Sequence, residues 1–546
     1  MKSDRAGWSG ALAAAPIVFL VALVAFAQAV MVWGLPARGL LSLVEDDAFY
    51  YFKIARNAAH GHWFTFDTIN ETNGFHPLWG FVCYIVYKFV PGIYTGLRAV
   101  LTVNILLWIG ASAALWFAVR SRGAAWAAAA VVMFTAVTVQ MSTYQSGMET
   151  GLFETLWLLL FLFVRLRDPL RSRGRAPCDA LFGLLLLLVI LGRIDGILLL
   201  PGVALAVAAI HWKDGAGRIL GRWVSVFAVT VAGLAAYALL NKQLFDVFLP
   251  ISGMLKSTFP HVHMVREYVF RYWWAEAAAL IALAANIWIA VRARSVREDG
   301  RASESDLALL FAFNTYCILH MLNTLVFTKA RGAYNWYFHP YILTVILDFV
   351  MIGSWVLGDE WLRDRRMRPV RVTAIVLALL LLVVPARRLY RGITGQLPAK
   401  WRTYCYDAAL WARSSTPPDT VFAMNDAGVF GYFSDRRVVN LDGLVNSLEY
   451  QRYGAEGRLD DFLKKCGARY LVQANFSPEQ ETVYKKDGEI HFTIMCALHD
   501  RPAGLVRLSS DRQVFQSEQY DQWGWVGDKP QLIPSRVRVW ELDLPE

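Results

Sequence analysis

The sequence predicts an all-α polytopic membrane protein with a C-terminal α/β domain outside the cytoplasm, and three observations lead there. Of 546 residues, 56% are apolar and 18% charged, with a mean hydropathy of +0.37; soluble domains carry about 25% charge. The apolar residues gather into runs of roughly 17 to 24, the length that crosses a ~30 Å hydrocarbon layer. Beyond about Arg387 the composition turns to that of a soluble domain, with Pro417, Pro418 and short alternating segments.

The first run, Ala11 to Gly34, follows Lys2 and Arg5 and exceeds the apolar region of a signal peptide, so it reads as a retained helix. Further spans are expected at Leu97 to Val119, Ala124 to Met141, Gly151 to Val164, Ala180 to Leu191, Gly196 to Ile210, Val224 to Leu240, Tyr272 to Ala290, Leu307 to Phe327, Tyr337 to Leu357 and Val372 to Val384. That makes about eleven crossings. The pair Ala180 to Leu191 and Gly196 to Ile210 is short, with only Gly192 to Asp195 between them. Its alternative is one tilted helix holding a buried ion pair, which would invert everything downstream.

Loop charge tests the count. Arg120 and Arg122, the arginines from Arg165 to Arg175, Lys213 to Arg222, Arg292 to Arg301 and Arg363 to Arg371 fall in alternate loops. By the positive-inside rule these are cytoplasmic, together with the N-terminus. The net charge of +10 is therefore an orientation signal and not a nucleic-acid footprint. The long loop 35–96 and the tail share the opposite compartment. This is the arrangement expected of a multi-pass membrane protein, with residues 1–390 as the transmembrane domain and 391–546 as a domain outside the cytoplasm.

In that tail Thr420 to Met424, Tyr470 to Ala474, Ile490 to Ile494 and Arg536 to Leu542 read as strands and Leu459 to Cys466 as an amphipathic helix. Six cysteines show no metal-type spacing; Cys405, Cys466 and Cys496 would lie outside the cytoplasm, where one disulfide of undetermined pairing can form.

The densest polar and aromatic segment is the first external loop, from Glu45-Asp46-Asp47 through Tyr51, Lys53 and Arg56 to the run Thr72 to Trp79, which contains His76. Ala48 to Ala59 is expected to be helical, so the aspartates sit at a helix N-terminus. Consecutive helical residues diverge by about 100°, so one faces a target while the other caps or pairs. A carboxylate held among aromatics at the membrane surface suits a general base acting on a hydroxyl; the plainer reading is an acidic start to an interfacial helix. The same compartment receives Glu149, the turn containing Arg193 and Asp195, Lys256, and a patch of Lys329, Arg331, Tyr337 and His339. Singly these are interfacial anchors. Together, carboxylates and cations facing one side suit a lipid-linked phosphate. Asp442 is either an acceptor contact or a turn residue. No GxGxxG or Walker-type run is present.

These residues resemble the GT-C superfamily of integral-membrane glycosyltransferases. The likeness rests on the acidic pair Asp46-Asp47 opening a helix after the first span, Thr72 to Trp79, Ser146 to Glu149, Arg193 to Gly196, and Pro250 to Lys256. Members similar to it are bacterial arabinofuranosyltransferases, the lipid A aminoarabinose transferase and protein O-mannosyltransferases. The resemblance implies inverting transfer from a polyprenyl-phosphate sugar to an extracytoplasmic hydroxyl on a glycan, lipid or protein, with a first-loop aspartate as base. It also implies that Lys256, Arg193 and Arg331 hold the phosphate, while Glu149, Asp195, His76, Tyr51, Lys53, Tyr337 and His339 line the substrate. An Asp followed four residues on by an aromatic and six on by Lys, as in Asp47, Tyr51 and Lys53, favours Asp47 over Asp46. Ala48 replaces the acidic residue that follows the Asp in those relatives, so both aspartates stay in play. Some members use a divalent cation and others none; His60, His62 and His76 are the histidines that could ligate one, and surface or packing roles are the plainer reading of them. A transporter or flippase of lipid-linked sugars is the competing class, and it would show internal repeats and mid-membrane charges.

Overall fold

A computed structural model describes residues 2–170, 176–262, 271–298, 302–329, 333–361, 383–394, 401–474, 489–496, 501–526 and 529–544, with isolated positions between 369 and 380. Seven of its helices are long and apolar enough to cross a membrane, among them Ile93–Arg122, Ala216–Phe245, Glu304–Phe327 and Asn335–Gly358. Helix Thr150–Arg167 buries most of its faces against these. Trp157 stacks on Phe313 at 4.4 Å between ring centroids, joining it to Glu304–Phe327. Val372 to Val384 falls largely outside the described residues.

The break expected around Arg193 is present. Helix Ala176–Gly192 ends, Arg193 is extended (φ −150°, ψ 123°), and the chain restarts through Ile194–Leu198 into Leu199–Ile210. The ion pair of the one-helix alternative is also there, partly buried within the break, Arg193 to Asp195.

Helix Asp46–Ala59 departs from an interfacial helix with one wet face. Ala48 to Ala55 are all buried, even Lys53. The cause is that the C-terminal domain closes over it: Phe49 packs on Tyr432 and Phe433 at 5.4 and 5.5 Å. Tyr87, from the next helix Pro77–Phe89, meets Tyr432 hydroxyl to hydroxyl at 2.7 Å.

The C-terminal domain is built on a five-stranded sheet with strand order β2-β1-β3-β9-β6. Its strands are β1 (Val421–Met424), β2 (Arg437–Asn440), β3 (Ala468–Gln473), β6 (Gln513–Gln516) and β9 (Arg538–Glu541). β2 and β3 run parallel to β1, whereas β9 is antiparallel to β3. Hairpins β4 (Glu489–Cys496) with β5 (Arg501–Ser509) and β7 (Tyr520–Val526) with β8 (Lys529–Ser535) complete it. The expected helix is Leu459–Lys465, with Leu459, Phe462 and Leu463 in the core. Cys405 and Cys466 are buried free thiols, so no disulfide joins these two; the Cys496 side chain lies outside the described residues.

Candidate active site

The two aspartates face different neighbours, as their helical angle requires. Asp46 turns to the C-terminal domain and accepts the backbone N–H groups of Gly428 and Val429 at 3.0 and 2.9 Å. This approach needs glycine, since a Cβ on Gly428 would stand 2.1 Å from the Asp46 carbonyl oxygen. Burial, reinforced by Asp426, raises the Asp46 carboxyl well above the usual range. Asp47 instead faces a cluster of charges from Lys256, Asp442, Glu45 and Glu149, and its side chain has no hydrogen-bond or ion-pair partner among the described residues. Burial pushes its pKa up to about 6; Lys256 works against this, and Asp442, Glu45 and Glu149 add to it.

One turn along the same face, Tyr51 donates its hydroxyl to Glu149 at 3.1 Å. Glu149 is fully buried, and its second oxygen lies 3.7 Å from His76 Nε2 and 3.9 Å from Arg193 Nε. His76 Nδ1 accepts the Ile194 amide at 3.3 Å, which leaves the ring proton on Nε2, toward Glu149. Burial keeps this imidazole below its ordinary pKa. Arg193 makes two hydrogen bonds to Asp195, at 3.2 and 2.5 Å, and His320 Nε2 meets the same carboxylate at 3.0 Å. Behind His320 stands Tyr341, 2.7 Å from Nδ1.

The opposite wall carries Lys256, at the end of helix Ile251–Lys256. Asn73, from the first loop, anchors that helix by accepting the Ile251 amide at 3.0 Å, and the Lys329 amide donates to the Lys256 carbonyl at 2.9 Å. The Lys256 ammonium donates to the Tyr337 hydroxyl at 2.8 Å and lies 5.7 Å from the Tyr334 ring. Burial would favour its neutral form, but Tyr337 and Asp47 outweigh that and raise its pKa.

A fourth wall comes from the C-terminal domain. β1 and β2 pair with Met424 opposite Asn440, and two residues past each stand Asp426 and Asp442. Both therefore emerge at the carboxyl edge of parallel strands, where open α/β sheets bind ligands. Asp442 accepts Tyr50 Oη at 2.7 Å, Asn440 Nδ2 at 2.9 Å and the Asp426 amide at 3.1 Å. Asp426 has φ +48°, in the left-handed region that Asp tolerates better than most residues.

Several expected residues are not gathered there. Lys53 lies roughly 240° around the helix from Asp47; its ammonium is directed to the Arg436 carbonyl at 3.4 Å, and burial beside Arg56 pushes its pKa down to about 8. His339 pairs with Thr143 at 3.0 Å inside the bundle. Arg331 lies outside the described residues. His60 and His62 are exposed, with His60 on the Arg56 carbonyl, and no three His, Cys, Asp or Glu side chains are grouped as metal ligands among the described residues. His320, Asp426, Asn440 and Tyr334 went unnoticed as site residues; an Asp directly after a strand was the available signal for Asp426.

A family model described only as a domain of unknown function (DUF8728) matches residues 393–523. No curated protein matches the chain. Among solved structures, ArnT from Cupriavidus metallidurans bound to undecaprenyl phosphate is similar at a TM-score of 0.52 and 15% identity, over 91% of this chain and 98% of that one. The apo oligosaccharyltransferase of Archaeoglobus fulgidus is similar at 0.51 and 12%, over 86% of this chain and 70% of that one. What the chain shares with both is the fold: helices long and apolar enough to cross a membrane, followed by a C-terminal α/β domain.

Proposed function

We propose that this protein is an inverting glycosyltransferase that moves a sugar from a polyprenyl-phosphate carrier to a hydroxyl outside the cytoplasm. The observation that carries this reading is the nearness of Asp47 and Lys256: a carboxylate without a hydrogen-bond or ion-pair partner among the described residues, its pKa about 6, lies within the field of an ammonium held by Tyr337. A phosphate-linked sugar already has a good leaving group. The protein must position the acceptor, take its proton and neutralise the departing phosphate.

In this reading Asp47 takes the proton as the acceptor oxygen bonds to the anomeric carbon. The bond from that carbon to the carrier phosphate breaks, and Lys256 meets the phosphate charge. Arg193 contributes field more than contact, because its guanidinium is 1% exposed and already engaged by Asp195. Glu149, His76, Tyr51 and Tyr337 orient the sugar. Asp46 serves the docking of the C-terminal domain. The supporting context is the fold, shared with a protein solved bound to undecaprenyl phosphate, and the alternation of loop charges, which fits a site facing away from the cytoplasm.

The test is transfer of radiolabelled sugar from a panel of polyprenyl-phosphate donors by purified protein. Turnover that Lys256→Met greatly weakens supports the assignment; full activity in that variant contradicts it.

A further inference from the structure

Tyr334, the residue before helix Asn335–Gly358, lies flat on Trp336, with 4.7 Å between ring centroids and 2° between planes. Other elements hold this stack in place. The Trp336 carbonyl accepts Arg193 Nη1 at 3.2 Å and Thr150 Oγ1 at 3.3 Å, and Tyr337 meets both rings edge-on at 6.3 and 6.0 Å. A ring fixed in this way has little freedom left to lose when it meets a ligand.

Tyr334 is nevertheless 37% exposed, and its hydroxyl has no hydrogen-bond partner among the described residues. Lys256 Nζ lies 5.7 Å from its ring, and the phenol feels the charges of Asp47 and, from the C-terminal domain, of Asp426. Burial of the rest of the ring, then Asp47 and Asp426, hold the phenol proton on well above its ordinary pKa, with Lys256 opposing. Tyr334 is therefore a neutral, fixed donor in the fields of both the proposed base and the ammonium proposed to meet the phosphate.

In an inverting transfer the acceptor oxygen and the leaving phosphate stand on opposite faces of the anomeric carbon. A group that borders both meets the rim of the sugar ring, where the neighbours of that carbon are the ring oxygen and the substituent at C2. Positive charge grows on the ring oxygen as the bond to phosphate loosens, and an O–H donor aimed there would oppose it. The C2 substituent carries no such penalty, and hydrogen bonds to it strengthen in the transition state.

Resting on the function proposed above, we infer that Tyr334 selects the transferred sugar at C2, its hydroxyl donating to an oxygen carried there as a hydroxyl or an acylamino carbonyl. A sugar without that oxygen leaves the donor unmatched and is transferred poorly.

The experiment uses the purified full chain and a panel of undecaprenyl-phosphate sugars. The sugar that wild type transfers best is compared with its 2-deoxy counterpart, in wild type and in Tyr334→Phe, which keeps the stack and loses only the hydroxyl. The preference in kcat/KM for the oxygenated sugar should be about tenfold greater in wild type than in Tyr334→Phe, the usual worth of one hydrogen bond. A loss of packing alone would slow both sugars alike, and an unchanged preference overturns the inference. Incorporation of 3,5-difluorotyrosine at position 334 supplies a stronger donor of nearly the same size and keeps the test decisive where Tyr334→Phe fails to fold. It should widen the preference, and a preference it leaves unchanged is equally contrary. If wild type transfers no sugar at all, the glycosyltransferase reading falls and binding of the same esters decides Tyr334 separately. Tighter binding of the oxygenated ester that Tyr334→Phe loses upholds the contact, whereas equal affinity for both esters in wild type overturns it.

Discussion

Tyr50 donates its hydroxyl to Asp442 at 2.7 Å, and this bond ties the helix that carries Asp47 to the carboxyl edge of the C-terminal sheet. Tyr50 stands three residues from Asp47, on nearly the same helical face. Tyr50→Phe leaves Asp442 with its other donors, so we expect a loss of about 1 kcal/mol of stability. A larger fall in kcat than in thermal stability, measured on the same preparation, would show that the bond sets the cleft geometry.

Asp46 and Asp47 should separate by phenotype. Asp46→Ala strands the buried amides of Gly428 and Val429, at about 1–3 kcal/mol for each unmade bond, and should lower the melting temperature. Asp47→Asn removes no hydrogen bond and should leave melting unchanged while stopping turnover. Nanoscale differential scanning fluorimetry beside the transfer assay reads both.

The rate should follow the ionisation of Asp47. A base must be deprotonated, so kcat/KM is expected to rise with pH up to about 6 and level off above it, falling about tenfold per unit below. Asp442 is one of the charges that raise this value. Asp442→Asn should therefore move the acid limb to lower pH, and an upward or absent shift in the pH profile would contradict the assignment.

Arg193 sets a stability test inside the cleft. Removing Asp195 leaves a guanidinium that is 1% exposed without its main partner, at a cost of about 3–5 kcal/mol. Asp195→Ala should thus yield poorly folded protein. His320→Leu, which removes one donor from the same carboxylate, should be milder in a thermal-shift comparison.

Gly74 marks the contact between the first loop and the C-terminal domain. A Cβ there would stand 1.7 Å from the Leu444 carbonyl oxygen, which is backbone and cannot step aside. Gly74→Ala should loosen the domain, seen as faster proteolysis between the transmembrane helices and the C-terminal domain.

Much of this was legible in the sequence. Apolar length placed most of the described helices, and alternation placed β1, β3, β4 and β9, because those patterns are local. That Asp46 and Asp47 face different neighbours followed from the 100° step alone. Lys53 shows where spacing misleads: six residues from Asp47 points to another side of the helix, and that side is covered by Arg436. Asp426, His320 and Asn440 were hidden for a different reason. Their neighbours lie hundreds of residues away or in another helix, and only the pairing of β1 with β2 or the packing of Glu304–Phe327 brings them to the cleft. The lone His320 in an apolar span was the one mark in that segment, since ionisable groups there are rarely idle.

In the proposed reaction Asp47 is the base of a sugar transfer. Asp46→Asn and Asp47→Asn should be assayed side by side with wild type for radiolabelled sugar transfer from polyprenyl-phosphate donors, with the monodispersity of each checked. We predict that wild type turns over a donor, that Asp47→Asn is folded and inactive, and that Asp46→Asn retains transfer. Full activity in Asp47→Asn would contradict the account, as would a wild type that transfers nothing yet moves lipid-linked sugar across liposomes.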